Sequence, residues 1–210
     1  MTKPVFSIQE AREADAYTIN EVGIPSAVLM ERAALAVANE LQTNEAFDLS
    51  KTLVVAATGN NGGDGLAVAR LLFVQGLDVT VLLLGNEAHA TVETQRQLKI
   101  CRHYRIPIVT TIADFAAFTT IVDGIFGVGL ARPVEGAFAE TIQAMNASPA
   151  NIMAIDVPSG LQADTGEILG TAIQAATTVT MAARKLGFTA KSEPNTGHVI
   201  VADIGVYQPH

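Results

Sequence analysis

From residue 52 onward the chain alternates short β-branched runs with longer helical stretches, and few folds accommodate that alternation. Candidate strands lie at 52–57, 78–84, 106–110, 119–123, 151–155, 176–181 and 198–202, with helices near 64–76, 90–104 and 136–147. Successive strands joined through helices run parallel, because the chain must cross back before the next strand starts. The pattern therefore predicts a three-layer α/β/α Rossmann-like sandwich around a mostly parallel central sheet. Ligands of such sheets collect beyond the C-terminal ends of the strands. Upstream, Ser7 and Glu10 have capping-box spacing, and the polar stretch through Asn20 reads as a helix ending near Gly23. A second helix begins at Pro25 and Ser26, with Leu29, Ala33, Val37 and Leu41 on one stripe that suits packing on a sheet.

At 210 residues the chain is expected to form one domain, 1–210. Hydrophobic residues make up 49% and charged residues 16%, a balance that suits a buried parallel sheet. The net charge of -8 works against long-range attraction to nucleic acid or an anionic membrane, so neither is expected as a partner. Cys101 is the single cysteine, which excludes an internal disulfide and a cysteine-based zinc site. The N-terminus lacks the apolar core of a signal peptide and no apolar run approaches a membrane span, so a cytoplasmic protein is expected.

Three strand ends carry the chemistry. The run 52–57 leads into Thr58-Gly59-Asn60-Asn61-Gly62-Gly63-Asp64-Gly65 and then an apolar helix. Glycines there permit a sharp turn and close approach to a ligand, Asp64 can cap the helix, and the first helical amides favour phosphate. The spacing is neither a Walker loop nor a Gly-x-Gly-x-x-Gly fingerprint, which counts against an ATPase, a phosphoryl-transfer enzyme and an ordinary dehydrogenase. The second strand end is Asp123-Gly124, followed by Gly127-Val128-Gly129-Leu130-Ala131-Arg132-Pro133, a further anion loop with a nearby positive charge. Arg132 could instead pair with Glu135. The third is Asp156-Val157-Pro158-Ser159-Gly160. Parallel strands would bring Asp64, Asp123 and Asp156 to one edge and open them onto one cleft, where grouped carboxylates call for a cation or a raised pKa. Each could also merely cap its own turn. The scattered histidines have neither metal-ligand nor triad spacing.

These motifs, with Met30-Glu31-Arg32-Ala33 before them, Ala163-Asp164-Thr165-Gly166 between and Val201-Ala202-Asp203-Ile204-Gly205 at the close, resemble the YjeF N-terminal domain family over nearly the whole chain. The resemblance implies an epimerase that interconverts the R and S forms of hydrated NADH or NADPH for nicotinamide nucleotide repair. It also implies functional pairing with a separate stereospecific dehydratase, since this chain carries no second domain. A homodimer is compatible with it. By motif position, Asn60, Asn61, Gly62, Gly63 and Asp64 bind substrate together with Gly127, Val128, Gly129, Leu130, Ala131, Arg132 and Pro133. Asp156 stands at the reacting end as substrate ligand and catalytic acid/base, and Asn61, Asp123 and Ser159 hold one potassium ion per subunit. Amide, carboxylate and hydroxyl oxygens are the donors a hard cation takes. Lys185 receives at most a supporting role. Some relatives of this fold serve as non-catalytic nucleotide-binding or dimerisation modules, which is the competing expectation.

Overall fold

The computed structural model describes residues 4–207. A short strand, β1 (Val5–Phe6), leads into α1 (Ile8–Tyr17), whose end winds into a π-helical turn over Thr18–Val22 before α2 (Ser26–Thr43). The capping box is present, with Ser7 and Glu10 satisfying each other's backbone amides, and Gly23 closes the turn in the left-handed conformation. Alternation then follows as β2 (Thr52–Ala56), α3 (Asn60–Val74), β3 (Val79–Leu83), α4 (Val92–His103), β4 (Ile108–Val109), β5 (Thr120–Gly124), α5 (Gly136–Ala147) and β6 (Asn151–Ile155). The last elements are β7 (Thr177–Met181), β8 (Arg184–Lys185), α6 (Glu193–Thr196) and β9 (His198–Ala202).

Seven strands form one sheet in the order β4-β3-β2-β5-β6-β7-β9, and every neighbouring pair is parallel. Strand order runs outward in both directions from the β2/β5 pair, which makes their C-terminal ends the switch point where a crevice opens. β4 is shorter than the run 106–110, because Pro107 at its start has no N–H to give to the ladder; its carbonyl still accepts from Val81 N at 2.8 Å. β1 and β8 make a separate parallel pair away from this sheet.

The period-two alternation of the strands divides the core. Val54, Ala56, Val122, Met153 and Ile155 pack on α2, α3 and α4 through Leu29, Val37, Leu41, Leu66, Leu72 and Leu98. Leu53, Val55, Ile121, Ile152 and Ala154 face Ile142 and Met145 of α5, with Ile173 and Ala175 from the irregular segment before β7. Helices cover both faces, as the alternation requires, although α5 shares its face with that segment.

The loop after β2 departs from expectation. α3 begins at Asn60 instead of Asp64, with Gly59 at its N-cap, so Asp64 is a helical residue and caps nothing. None of Gly59, Gly62, Gly63 or Gly65 has positive φ. Their small size serves packing: a Cβ on Gly62 would lie 1.8 Å from the Ala57 carbonyl oxygen, and one on Gly63 would lie 2.6 Å from Met30 Cε.

Candidate active site

A cavity of about 1160 Å³ opens at the β2/β5 switch point. That lies at the upper end of the roughly 300–1,000 Å³ of ordinary ligand pockets and leaves room for a large ligand. One wall is the start of α3, with Asn60, Asn61 and Asp64; another is the whole 127–133 segment; the floor holds Asp156 and Lys185. Gly62 and Gly63 are buried against the protein instead of lining the cavity. Arg132 is exposed at the rim and forms no ion pair with Glu135 among the described residues.

The three aspartates lie at one end of the sheet but not in one chemical setting. Asp123 does not open onto the cleft: it is fully buried at the end of β5. Its Oδ1 accepts from Ser159 Oγ at 2.6 Å and from Ile125 N at 3.2 Å, and its Oδ2 accepts from Ser159 N at 2.8 Å. Burial pushes its carboxyl up to about 6, against those hydrogen bonds. Beside it, Asn61 is wedged against residues that lack a Cβ, since a Cβ on Gly124 would meet the Asn61 carbonyl oxygen at 3.1 Å and one on Gly127 would meet Asn61 Oδ1 at 3.3 Å. Asn61 Nδ2 is buried without a partner, and turning the amide over would present its oxygen at that position instead. Ser159 Oγ also accepts from Phe126 N at 2.8 Å, tying the end of β5 to the segment after β6.

Asp156 owes its position to backbone geometry. It follows β6 in the left-handed region at φ 64, a conformation that Asp tolerates better than most residues, and its N–H donates to Val179 O at 2.8 Å. Three donors converge on its Oδ1: Lys185 Nζ at 2.9 Å, Met181 N at 3.1 Å and Thr180 Oγ1 at 3.2 Å. Lys185 is buried, and its ammonium is shared among Asp156, Met181 O and Ala183 O. Ala182, also at positive φ, turns the chain from β7 into β8 and so delivers this lysine. Asp64, half-buried on α3, has its carboxyl raised well above the ordinary range by burial first, then by Asp156 and Asp15.

Two charged residues at the cleft were not singled out in the sequence. Arg12 and Asp15, one turn apart on α1, both line it. Asp15 is pushed up to about 6, first by loss of surrounding water and then by Asp156, with Lys185 pulling the other way. Their spacing with Ile19, another lining residue, marks one helical face, but two charged residues and an isoleucine at that spacing have no distinctive signature. Lys185 shows no more in the sequence, because its partner lies 29 positions earlier in the chain. Of the histidines, His89 lines the cleft, and His210 lies outside the described residues. No cluster of three or more His, Cys, Asp or Glu suited to a metal occurs among the described residues.

Comparison with known proteins agrees with this architecture. A protein of Oenococcus oeni named NAD(P)H-hydrate epimerase is 50% identical over 100% of both chains. One of the same name from Levilactobacillus brevis is 52% identical over 99% of this chain and 96% of that protein. The crystal structure of the yeast protein ynu0 superposes with a TM-score of 0.79 at 26% identity, covering 93% of this chain and 87% of the other. The model of the family described as YjeF-related protein N-terminus matches residues 26–187, from the start of α2 to just past β8. With that match and its full-length relatives, the chain belongs to the YjeF N-terminal domain family.

Proposed function

We propose that this chain is an NAD(P)H-hydrate epimerase, converting the R and S forms of hydrated NADH and NADPH into one another. The observation that carries the reading is Asp156, held at the cleft floor by three donors that all converge on Oδ1. Identity of about half over the whole length to relatives of that name supports the same activity.

The first amides of α3 and the loop 127–133 with Arg132 receive the pyrophosphate, where helix-terminal N–H groups and a guanidinium suit an anion. The hydrated ring then lies towards Asp156. Its reacting carbon bears a hydroxyl next to the ring nitrogen, so loss of that hydroxyl as water leaves a planar iminium to which water can return from either face. Asp156 moves a proton on the side of the ring that it faces. Asn61, Asp123 and Ser159 fit a potassium ion: their donors are oxygens, Asp123 is a buried carboxyl on which no basic side chain acts, and the Asn61 amide is unpaired. Held by Asn61, Asp123 and Ser159, a potassium ion would supply positive charge to offset ionised Asp123.

The product is consumed by a separate stereospecific dehydratase. A homodimer belongs to the same proposal, with exposed Val28 and Leu35, two turns apart on α2, as surface for a second copy; sedimentation velocity tests it. No described helix is long and apolar enough to cross a membrane, and the free, buried Cys101 suits a reducing cytoplasm.

Purified R-hydrate of NADPH incubated with the chain should yield the S form well above the spontaneous rate, followed by chromatography. Asp156→Asn should lower that rate by roughly 10²–10⁴-fold. Binding of the hydrate with no S form produced would favour a non-catalytic nucleotide-binding module.

A further inference from the structure

α1 contributes no buried residue to the core, yet it is fastened at both ends over the cleft. At its start, Ile8 N donates to Asp164 Oδ1 at 2.7 Å, and β1 pairs with β8, the strand that carries Lys185. Past its end, Thr18 Oγ1 accepts from Tyr207 N at 2.9 Å. A helix that gives the core only partly buried contacts, through Ile8 and Ala14, and is clamped in this way holds a fixed wall of the cavity. That wall carries Arg12 beside Gly129, and Asp15 within electrostatic reach of Asp156, Lys185 and Asp64.

Epimerisation makes a demand that one fixed carboxyl does not meet. When the hydroxyl leaves, the C–O bond breaks with its electron pair on oxygen, a carboxyl proton completes the water, and the nitrogen lone pair forms the C=N bond. When water returns to the opposite face, a C–O bond forms, the π pair goes back to nitrogen, and the surplus proton passes to a carboxylate. Departure and return take place on opposite sides of the ring, so proton donor and acceptor are needed on both. Asp156, pinned by Lys185, Thr180 and the Met181 amide, reaches one side.

We propose that Asp15 is the second proton-transfer group, acting from α1 on the ring face that Asp156 does not reach. The inference rests on the epimerase reading and deepens it. Asp15 sits on the cavity wall, where the cleft excludes much of the surrounding water but leaves part of the carboxyl open, so its proton exchanges with solvent and the pair resets after each turnover in either direction. Three charged groups act on it, Asp156 after β6, Lys185 on β8 and Asp64 on α3, and Arg12 on its own helix faces the same cleft. A carboxyl held at about 6 has both protonation states available near neutrality, as a group that works once as acid and once as base requires.

The test measures epimerisation of the R-hydrate from acid to alkaline pH by wild type, Asp15→Asn and Asp15→Glu, with thermal melts of each. Asp15→Asn should lose roughly 10²-fold or more in kcat with little change in KM, and its profile should lose the ionisation near 6. Asp15→Glu should recover part of the rate, and all three should melt alike because the position is exposed. An active wild type with an equally active Asp15→Asn and an unchanged pH profile overturns the inference alone. An inactive wild type overturns the epimerase reading and this inference with it.

Discussion

Lys185 shows how one residue sets the state of several others. Its ammonium, 2% exposed, lies 2.9 Å from Asp156 Oδ1 and also lowers the pKa of Asp15. A buried pair of this kind is costly to break, because the remaining carboxylate keeps its desolvation penalty and loses its counter-charge. Lys185→Met should therefore reduce kcat and move the acid limb of the rate profile to higher pH, since removing a positive charge raises neighbouring carboxyl pKa values. A pH–rate profile of the variant checks both, and an unmoved limb would separate Lys185 from the titrating groups. Gly62 is the steric counterpart. The space for its Cβ is already filled by the Ala57 carbonyl oxygen, which belongs to the backbone and has no rotamer to move into. Gly62→Ala should cost at least about 1–3 kcal/mol by urea denaturation, the range for forcing extra atoms into a packed core.

At the level of elements, the strands were legible and the start of α3 was not. Strand positions follow from β-branched runs bounded by turn residues, and β6, β9 and α5 fall at 151–155, 198–202 and 136–147, as read from the sequence. Gly62, Gly63 and Gly65 have poor helix propensity, which argues locally for a loop. The fold overrides that preference because only a residue without a side chain lets α3 pass so close to Ala57 and Met30. The site divides in the same way. Motifs placed Asp64 and Asp156 at the cleft, because a strand end and its next turn are local in sequence. The burial of Asp123 under Ser159, and the meeting of Asp15 and Lys185 beside Asp156, depend on contacts between segments far apart in the chain and leave no local trace. The clamp on α1 is one such contact and can be tested. Asp164→Ala removes the acceptor for Ile8 N and should raise KM by loosening the α1 wall, while Tm changes little because α1 buries no core residue. Steady-state kinetics with thermal melts measures both, and a large drop in Tm at unchanged KM would make Asp164 a stability residue only.

For the whole molecule, the raised carboxyls invert the usual response to acid. Asp123 stands at about 6 against an ordinary 3.8, and Asp64 is also raised well above the ordinary range, by burial and by the like charges of Asp156 and Asp15. Such groups hold protons more tightly when folded, so between their unfolded and folded pKa values the native state binds more protons. Their stabilising contribution is complete below about 3.8 and is lost as pH rises through the folded-state values, about 6 for Asp123 and likewise raised for Asp64. For Asp123 the loss amounts to about 3 kcal/mol at about 1.4 kcal/mol per pKa unit. Glu10, Asp48 and Glu87 are shifted downward and act in the opposite sense, but they lie at the surface, where solvent screens them. The buried groups therefore dominate, and Tm should fall as pH rises from about 5 to about 8 in a salt of a bulky organic cation such as tetramethylammonium. The proposed potassium site would take the ionised form of Asp123, and a ligand of the folded state stabilises in proportion to the logarithm of its concentration over Kd. The same melts in potassium chloride should show a shallower fall, with the two salts converging at the acid end, where Asp123 is protonated. A Tm that rises with pH in both salts would contradict the raised carboxyls. Parallel curves would leave those carboxyls in place and remove the cation from Asn61, Asp123 and Ser159.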